Sequence, residues 1–375
     1  MSVQEIVAIA STCIFVSGTI LNIIFIYVIR NGTRSAVGLV YKNIMTSFAV
    51  CNIGFASMEF IAKPGIFIYG TSLMTFSHGI FQSVKPWGFL SLCAFIGMYG
   101  VNTALLTLHF AYRYIALCRR HSLRIFHETS SVTIIISTVL SWGFVYGFIT
   151  FYCFAATDDY YEYANSSVYA KFGVDAHSLS FFCIFTHKVV GGVTTIYWSS
   201  TLGLGLIFLM MIITFALMLF CGIRMYQTLK KTPMSTKSKA LQTQLLKALA
   251  VQVRLYGVTS TPTWTLCKII LFQATIPFFT SYLSRVLMYT SVIMGLPPLS
   301  VYSFTPLVVS IYTVIDPIAI MFFVCDFRQT VNNLKKNVNT ILCLGPKSIE
   351  VATTVKSQSS TARMERTGSK TIRVL

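Results

Sequence analysis

Two carboxylates, Glu59 and Asp316, stand inside long uncharged and mostly apolar runs, and Arg113 closes a third such run. Ionisable groups in those surroundings are costly and tend to face a polar interior, a partner or a ligand. Pro317 follows Asp316 directly; a proline within a helix removes one backbone hydrogen bond and bends it, which allows two packings of the same segment. This is the chemistry of binding and switching. Bond-making chemistry has no comparable set. The chain carries no His-Glu-x-x-His pair, phosphate-cradling glycine loop or nucleophile elbow, and its six histidines (78, 109, 121, 127, 177, 187) are scattered without metal-ligand spacing. An enzyme is not expected, nor a metal or another cofactor.

Other polar residues in the apolar runs are Asn22, Asn52 and Asn102, each able to hydrogen-bond across a helix interface or to satisfy a neighbouring helix. Phe95, Tyr99, Asn102 and Trp198 could line a mostly apolar pocket with a few polar groups, as small-molecule sites usually do. The same side chains could equally serve aromatic packing and interfacial belts. Glu59 is a candidate ligand contact, or the counter-ion of Lys63 one helical turn on.

The elements that must position these residues follow from composition. Of 375 residues, 55% are hydrophobic and 11% charged, where an average soluble domain carries roughly 25% charged residues. Too few charges remain to coat a soluble protein of this length. A bilayer-spanning helix needs roughly 20 apolar residues, and such runs lie near 6–29, 40–61, 87–112, 131–156, 198–223 and 300–324, with one further irregular span required between 247 and 294. The fold class is an all-α membrane protein, a bundle of seven transmembrane helices.

Most of the 29 lysines and arginines fall between spans one and two, after span three, between spans five and six, and in the C-terminal tail. The alternate loops hold Asp158, Asp159, Glu162 and Asp175. Cytoplasmic loops hold the excess of basic residues, so the N-terminus is expected outside and the C-terminus in the cytoplasm. The net charge of +18 then reads as topology and attraction to anionic membrane lipid, not as nucleic-acid binding. Glu5 precedes the first run in place of a basic n-region, so that run is expected to stay as an anchor. Asn165-Ser166-Ser167 is a glycosylation sequon on the outer side, whereas Asn31-Gly32-Thr33 faces the cytoplasm.

After span seven, Phe327, Val331, Leu334, Val338, Ile341 and Leu342 recur at helical spacing with basic residues between them, predicting a short amphipathic helix at the inner interface. Cys343 at its end could be palmitoylated or remain a plain thiol. The seven-span unit over 1–344 is followed by a Ser/Thr/Lys/Arg-rich tail over 345–375, expected to be disordered. Most of the ten cysteines lie in spans as small hydrophobes; Cys93 and Cys183, near the outer side, could pair in an oxidising compartment.

Four local sequences carry a more specific signal. They are Tyr69-Gly70-Thr71-Ser72 in the first outer loop; His109-Phe110-Ala111-Tyr112-Arg113-Tyr114-Ile115-Ala116-Leu117-Cys118-Arg119 ending span three; Leu241-Gln242-Thr243-Gln244-Leu245-Leu246-Lys247-Ala248-Leu249 leading into span six; and Tyr312-Thr313-Val314-Ile315-Asp316-Pro317 followed by Asp326-Phe327-Arg328. As an ordered set over about 6–335, they resemble the nematode serpentine chemoreceptors of the Str superfamily. The resemblance implies a G-protein-coupled receptor for small, often volatile environmental chemicals, with a small-molecule ligand and a heterotrimeric G protein as partners, in the plasma membrane of a sensory cilium and serving olfaction. It places Tyr112-Arg113-Tyr114 where other serpentine receptors carry an acidic-Arg-Tyr motif. Arg113 would then hold the inactive bundle and engage the G protein when span six swings away. The alternative is an arginine that only snorkels to lipid phosphate. Tyr112 replaces the acidic neighbour, so an Asp–Arg lock within the motif cannot operate. Asp316-Pro317 resembles the Asn/Asp-Pro hinge of span seven. A transporter using Asp316 in its substrate path is the rival reading, although no internal repeat is evident in the sequence.

Span six departs from the family pattern, which runs from Lys-Ala-Leu through a Gln into a proline-containing apolar stretch. Here Gln252 is separated from Ala274-Thr275-Ile276-Pro277 by residues 253–273, which bring Arg254, Pro262 and Lys268 with them. The segment begins Val253-Arg254 and ends Phe272-Gln273, as translation of a GTAAG donor and a TTTCAG acceptor would, which predicts a retained intron. A true insertion, forming an overlong helix or a loop, is the alternative. Without it, a short uncharged stretch lies between Lys247 and Arg285, cations expected to snorkel at its two ends.

Overall fold

A computed structural model of the chain describes residues 3–31, 39–82, 84–231, 282–296, 302 and 304–323. The segment 253–273, Pro297-Pro298, the helix expected after span seven, Cys343 and the tail 345–375 lie outside the described residues.

Five long helices carry the apolar runs: α1 (Val3–Asn31), α2 (Leu39–Ala62), α3 (Trp87–Cys118), α4 (Thr129–Cys153) and α6 (Trp198–Lys231). Among the described residues, these five are long and apolar enough to cross a bilayer. Shorter helices α7 (Ser284–Ile293), α8 (Thr305–Ser310) and α9 (Tyr312–Phe323) close the bundle, with Pro317 inside α9. The five long helices fall within a few residues of the expected runs at most ends, and α3 and α6 extend further at their C-termini. The chain is thus a multi-pass membrane protein built mainly of helices.

Their outward surfaces are apolar. On α4, Phe144, Phe148 and Tyr152 are exposed and stack along one face at one-turn intervals, a stripe that water would penalise and lipid tails would not. The interior faces of α3 and α4 are lined instead with glycine. A Cβ on Gly143 would lie 2.3 Å from Val101 and 2.8 Å from the carbonyl of Gly97, and one on Gly100 would lie 3.0 Å from the Cα of Gly143. Bare backbones let the two helices touch, the usual means of close association where no hydrophobic drive exists between helices.

One end of the bundle is covered by a sheet and a further, amphipathic helix. Strands β1 (Pro64–Tyr69), β2 (Ser72–Ser77) and β3 (Phe181–Phe185) pair antiparallel in the order β1-β2-β3, with Leu73 opposite both Ile68 and Ile184. Gly70, at φ 54°, turns the β1–β2 hairpin, so the Tyr69-Gly70-Thr71-Ser72 motif is its tip. Helix α5 (Asp158–Phe172) lies on the far face. Alternation along β3 serves two cores: Phe182 and Ile184 join the bundle cluster, while Phe181, Cys183 and Phe185 pack with Tyr160, Ala164 and Val168 of α5. A small hairpin, β4 (His187–Val190) and β5 (Val193–Ile196), leads into α6.

Candidate functional site

The inward face of α3 carries Phe95, Tyr99, Asn102, Leu106, His109 and Tyr112, all buried. Residues three and four apart share one helix face, which is why these positions reach the centre together. Tyr99, Asn102, Thr103 and Leu106 of α3 line a narrow cavity with Phe55 of α2, Tyr282, Val309 of α8 and Tyr312 of α9. Its wall is mainly aromatic and aliphatic, with Asn102, Thr103 and the tyrosine hydroxyls as its polar groups. Among the described residues, no group of three or more His, Cys, Asp and Glu side chains is placed to hold a metal ion.

A chain of amides runs from this cavity across the bundle. Asn102 Nδ2 donates to Asn52 Oδ1 (3.1 Å), Asn52 Nδ2 reaches Asn22 Oδ1 (3.5 Å), and Asn22 Nδ2 donates to the Thr313 carbonyl (2.9 Å). The three asparagines therefore join α3, α2, α1 and α9. Glu59 is buried on α2 and accepts from Ser11 at 3.4 Å, with Ser310 also in hydrogen-bond reach. It binds helices together rather than lining the cavity. Lys63 is not its counter-ion: that ammonium lies over the Phe60 ring, 4.9 Å from the centroid.

Phe95, Tyr99 and Asn102 are brought together, Phe95 packing on Phe55 at 5.2 Å. Trp198 is not; it is 65% exposed at the start of α6, as an interfacial belt residue would be. Arg285, expected to snorkel, is buried at 7% exposure, its guanidinium 3.7 Å from the Tyr99 ring centroid. Tyr146 on α4 packs edge-on to Tyr99 (5.9 Å), and Tyr282 shares a hydroxyl hydrogen bond with Thr214 of α6 (2.9 Å). Arg285, Tyr146 and Tyr282 were not among the expected site residues. The charge of Arg285 inside an apolar segment was the signal available for it.

At the end away from the sheet, Tyr112 is buried against Phe126 (5.1 Å) and Tyr41 (6.0 Å), and Tyr114 packs edge-on to Phe220 of α6 (5.9 Å). Arg113, half-buried between them, acts electrostatically on the Asp316 carboxylate of α9. Asp316 is itself buried; Oδ1 accepts from the Tyr312 hydroxyl at 3.4 Å, and Oδ2 has no hydrogen-bond partner among the described residues. The Tyr112-Arg113-Tyr114 segment thus packs on α2 and α6 and lies within electrostatic reach of Asp316 on α9, which Pro317 follows directly in the chain.

Cys93 and Cys183 do not form a disulfide: both are free and buried. Cys183 packs under α5, where burial pushes its thiol up to about 12. The Asn165 side chain accepts from the Ala176 backbone N–H at 3.1 Å through Oδ1, which leaves its amide nitrogen outside that bond.

The chain matches the family "Serpentine type 7TM GPCR chemoreceptor Str" over residues 7–256 and 262–332. The gap falls inside 253–273. It is similar to "Serpentine receptor class r-10" of Caenorhabditis elegans, at 25% identity over 315 residues, covering 79% of this chain and 83% of that protein. The Caenorhabditis briggsae protein of the same name is 24% identical over 325 residues (83% and 84%). "G-protein coupled receptor str-33" of Caenorhabditis elegans is 23% identical over 332 residues (85% and 88%).

Proposed function

We propose that this chain, which belongs to the Str family of serpentine seven-transmembrane chemoreceptors, detects a small volatile or lipophilic molecule in the cavity beside Tyr99 and Asn102 and signals to a heterotrimeric G protein. The observation that carries the reading is one continuous path of interactions. The cavity wall includes Tyr312, Tyr312 donates to Asp316, and Asp316 lies under the charge of Arg113. A ligand that shifts Tyr312 alters the environment of the carboxylate behind Pro317, and hence the hold on Arg113. Movement of spans six and seven would then open the surface around Tyr112, Arg113 and Tyr114.

In this reading the sheet and α5 lie outside the cell, the Arg113 end and the C-terminus lie in the cytoplasm, and the receptor works in the membrane of a sensory cilium. Asn165 then carries a glycan, Cys343 is a palmitoylation site, and residues 253–273 are a retained intron absent from the mature product. Sequencing transcripts across Gln252–Ala274 tests the last point; messages that all keep the segment would refute it.

The functional test is a volatile-odorant panel on cells expressing the full chain, and the intron-free form, together with a G protein, surface expression being checked first. Ligand-evoked signalling that depends on the G protein supports the receptor. Accumulation of ligand in the cells without G-protein dependence would favour the transporter, with Asp316 in its path.

A further inference from the structure

We infer that Arg285, stacked on Tyr99 in the middle of the bundle, anchors the carboxylate of a short-chain organic acid. The inference rests on the receptor reading and names the class of ligand for the same site.

Arg285 lies ten positions before Gly295, which borders Thr71 at the tip of the β1–β2 hairpin. At 1.5 Å per residue the Arg285 backbone is about 15 Å below that end, near the middle of a hydrocarbon core of about 30 Å. A cation at that depth is retained only where something compensates it. The Tyr99 ring face supplies part of this, 3.7 Å away. It satisfies none of the N–H donors in the guanidinium plane, and Nε has no partner among the described residues. Nor does a carboxylate among the described residues reach it there. No acidic residue occurs between Asp175 and Asp316, while Glu59 is engaged by Ser11 and Asp316 by Tyr312 and Arg113.

The unsatisfied groups around it can all donate. The hydroxyls of Tyr99 and Tyr146 also lack partners among the described residues, and each can give its proton to an acceptor as well as take one. A planar guanidinium edge with adjacent phenols is complementary to a carboxylate, whose two oxygens can take parallel N–H bonds and further hydroxyl bonds. The cavity beside Tyr99 and Tyr282 is narrow and apolar, which restricts the acid to a short aliphatic tail that the lining side chains must shift to admit. Such an acid is volatile when protonated and anionic when bound.

The test uses the purified full chain in detergent, titrated with butyrate, pentanoate and hexanoate and with their methyl esters and the corresponding alcohols, following thermal unfolding. The carboxylates should raise the unfolding temperature at millimolar concentration, and the esters and alcohols should not. Arg285→Met should abolish the shift and Arg285→Lys should weaken affinity by about tenfold or more, with Tyr99→Phe retaining a reduced shift. Without ligand, Arg285→Met should unfold no lower than the parent, because it removes an uncompensated buried charge; a marked fall would assign Arg285 a purely structural role and overturn the proposal. Esters as effective as acids, no shift from any of the carboxylates, or an equal shift from chloride alone would also overturn it. In cells the two readings separate. Arg285-dependent stabilisation by carboxylates without signalling keeps this site and removes the receptor, whereas signalling by neutral odorants that Arg285→Met leaves intact removes the site and keeps the receptor.

Discussion

The side-chain amide of Asn102 donates to Oδ1 of Asn52 across 3.1 Å, tying α3 to α2. Asn52 is also the link to Asn22, and through it to the Thr313 carbonyl of α9. One amide in the middle of four helices holds two others in place.

Asn52→Ala should therefore destabilise the protein by more than its size suggests. It strands the amide of Asn102 and removes a partner of Asn22, at about 1–3 kcal/mol for an unsatisfied buried group. Thermal unfolding of the purified chain measures it, with Ser57→Ala as the control. Ser57 only back-bonds to the Ile53 carbonyl on its own helix, and its loss should be within about 0.5 kcal/mol. Equal effects at the two positions would mean that the amide chain adds nothing.

Arg113 and Asp316 should be energetically coupled. Arg113→Ala leaves the buried carboxylate without its cation, a change that costs about 3–5 kcal/mol where such a pair is fully buried and less here, since Arg113 is half-buried. Asp316→Asn should restore part of that stability in the double variant. A double-mutant cycle on unfolding reads the coupling, and strict additivity would sever the two residues. Signalling should be lost in Arg113→Ala while ligand-induced stabilisation remains.

Two glycines should behave in opposite ways. At Gly143 an added methyl meets Val101 and the carbonyl of Gly97, so Gly143→Ala should cost about 1–3 kcal/mol as α3 and α4 are forced apart. At Gly205 of α6 nothing lies within 4 Å, so Gly205→Ala should gain up to about 1 kcal/mol from helix propensity. Both are read as shifts in unfolding temperature, and a neutral Gly143→Ala would disprove the close packing.

Thiol labelling checks the separation of Cys93 and Cys183. With its thiol pushed up to about 12 by burial, Cys183 stays protonated throughout the neutral range and, being shielded, should resist maleimide in the folded protein. Unfolding without a reductant should expose both residues to labelling, detected by mass spectrometry of their peptides. If either labels only after reduction, the two are bonded after all.

Glycosidase digestion reports on orientation. With the sheet and α5 outside, digestion should increase gel mobility, and Asn165→Gln should abolish the change. A glycan on Asn31 instead would turn the molecule upside down.

The membrane-crossing character was legible in the sequence because it needs only one local quantity, an unbroken apolar run long enough for a bilayer. Residues 6–29 and 40–61 met that requirement, and α1 and α2 cover them with two or three further residues at most on either side. The inward face of α3 was legible as well, since Phe95, Tyr99 and Asn102 follow helical spacing. The sheet was not. Alternation along a strand shows in sequence when one face meets water, but Phe181–Phe185 faces the bundle on one side and α5 on the other, so every position is apolar and the run carries no period.

Cations were the other silent feature. Lys63 and Arg285 each border apolar sequence, and composition treats them alike. Only the tertiary structure leaves Lys63 half-buried over Phe60 and draws Arg285 inward against Tyr99. A long basic side chain can reach outward or turn inward at similar local cost, and the choice rests with whichever neighbouring helix offers it a partner. The sequence by itself determined which segments cross the membrane and which carry charge. The packing of those segments decided which charges turn inward.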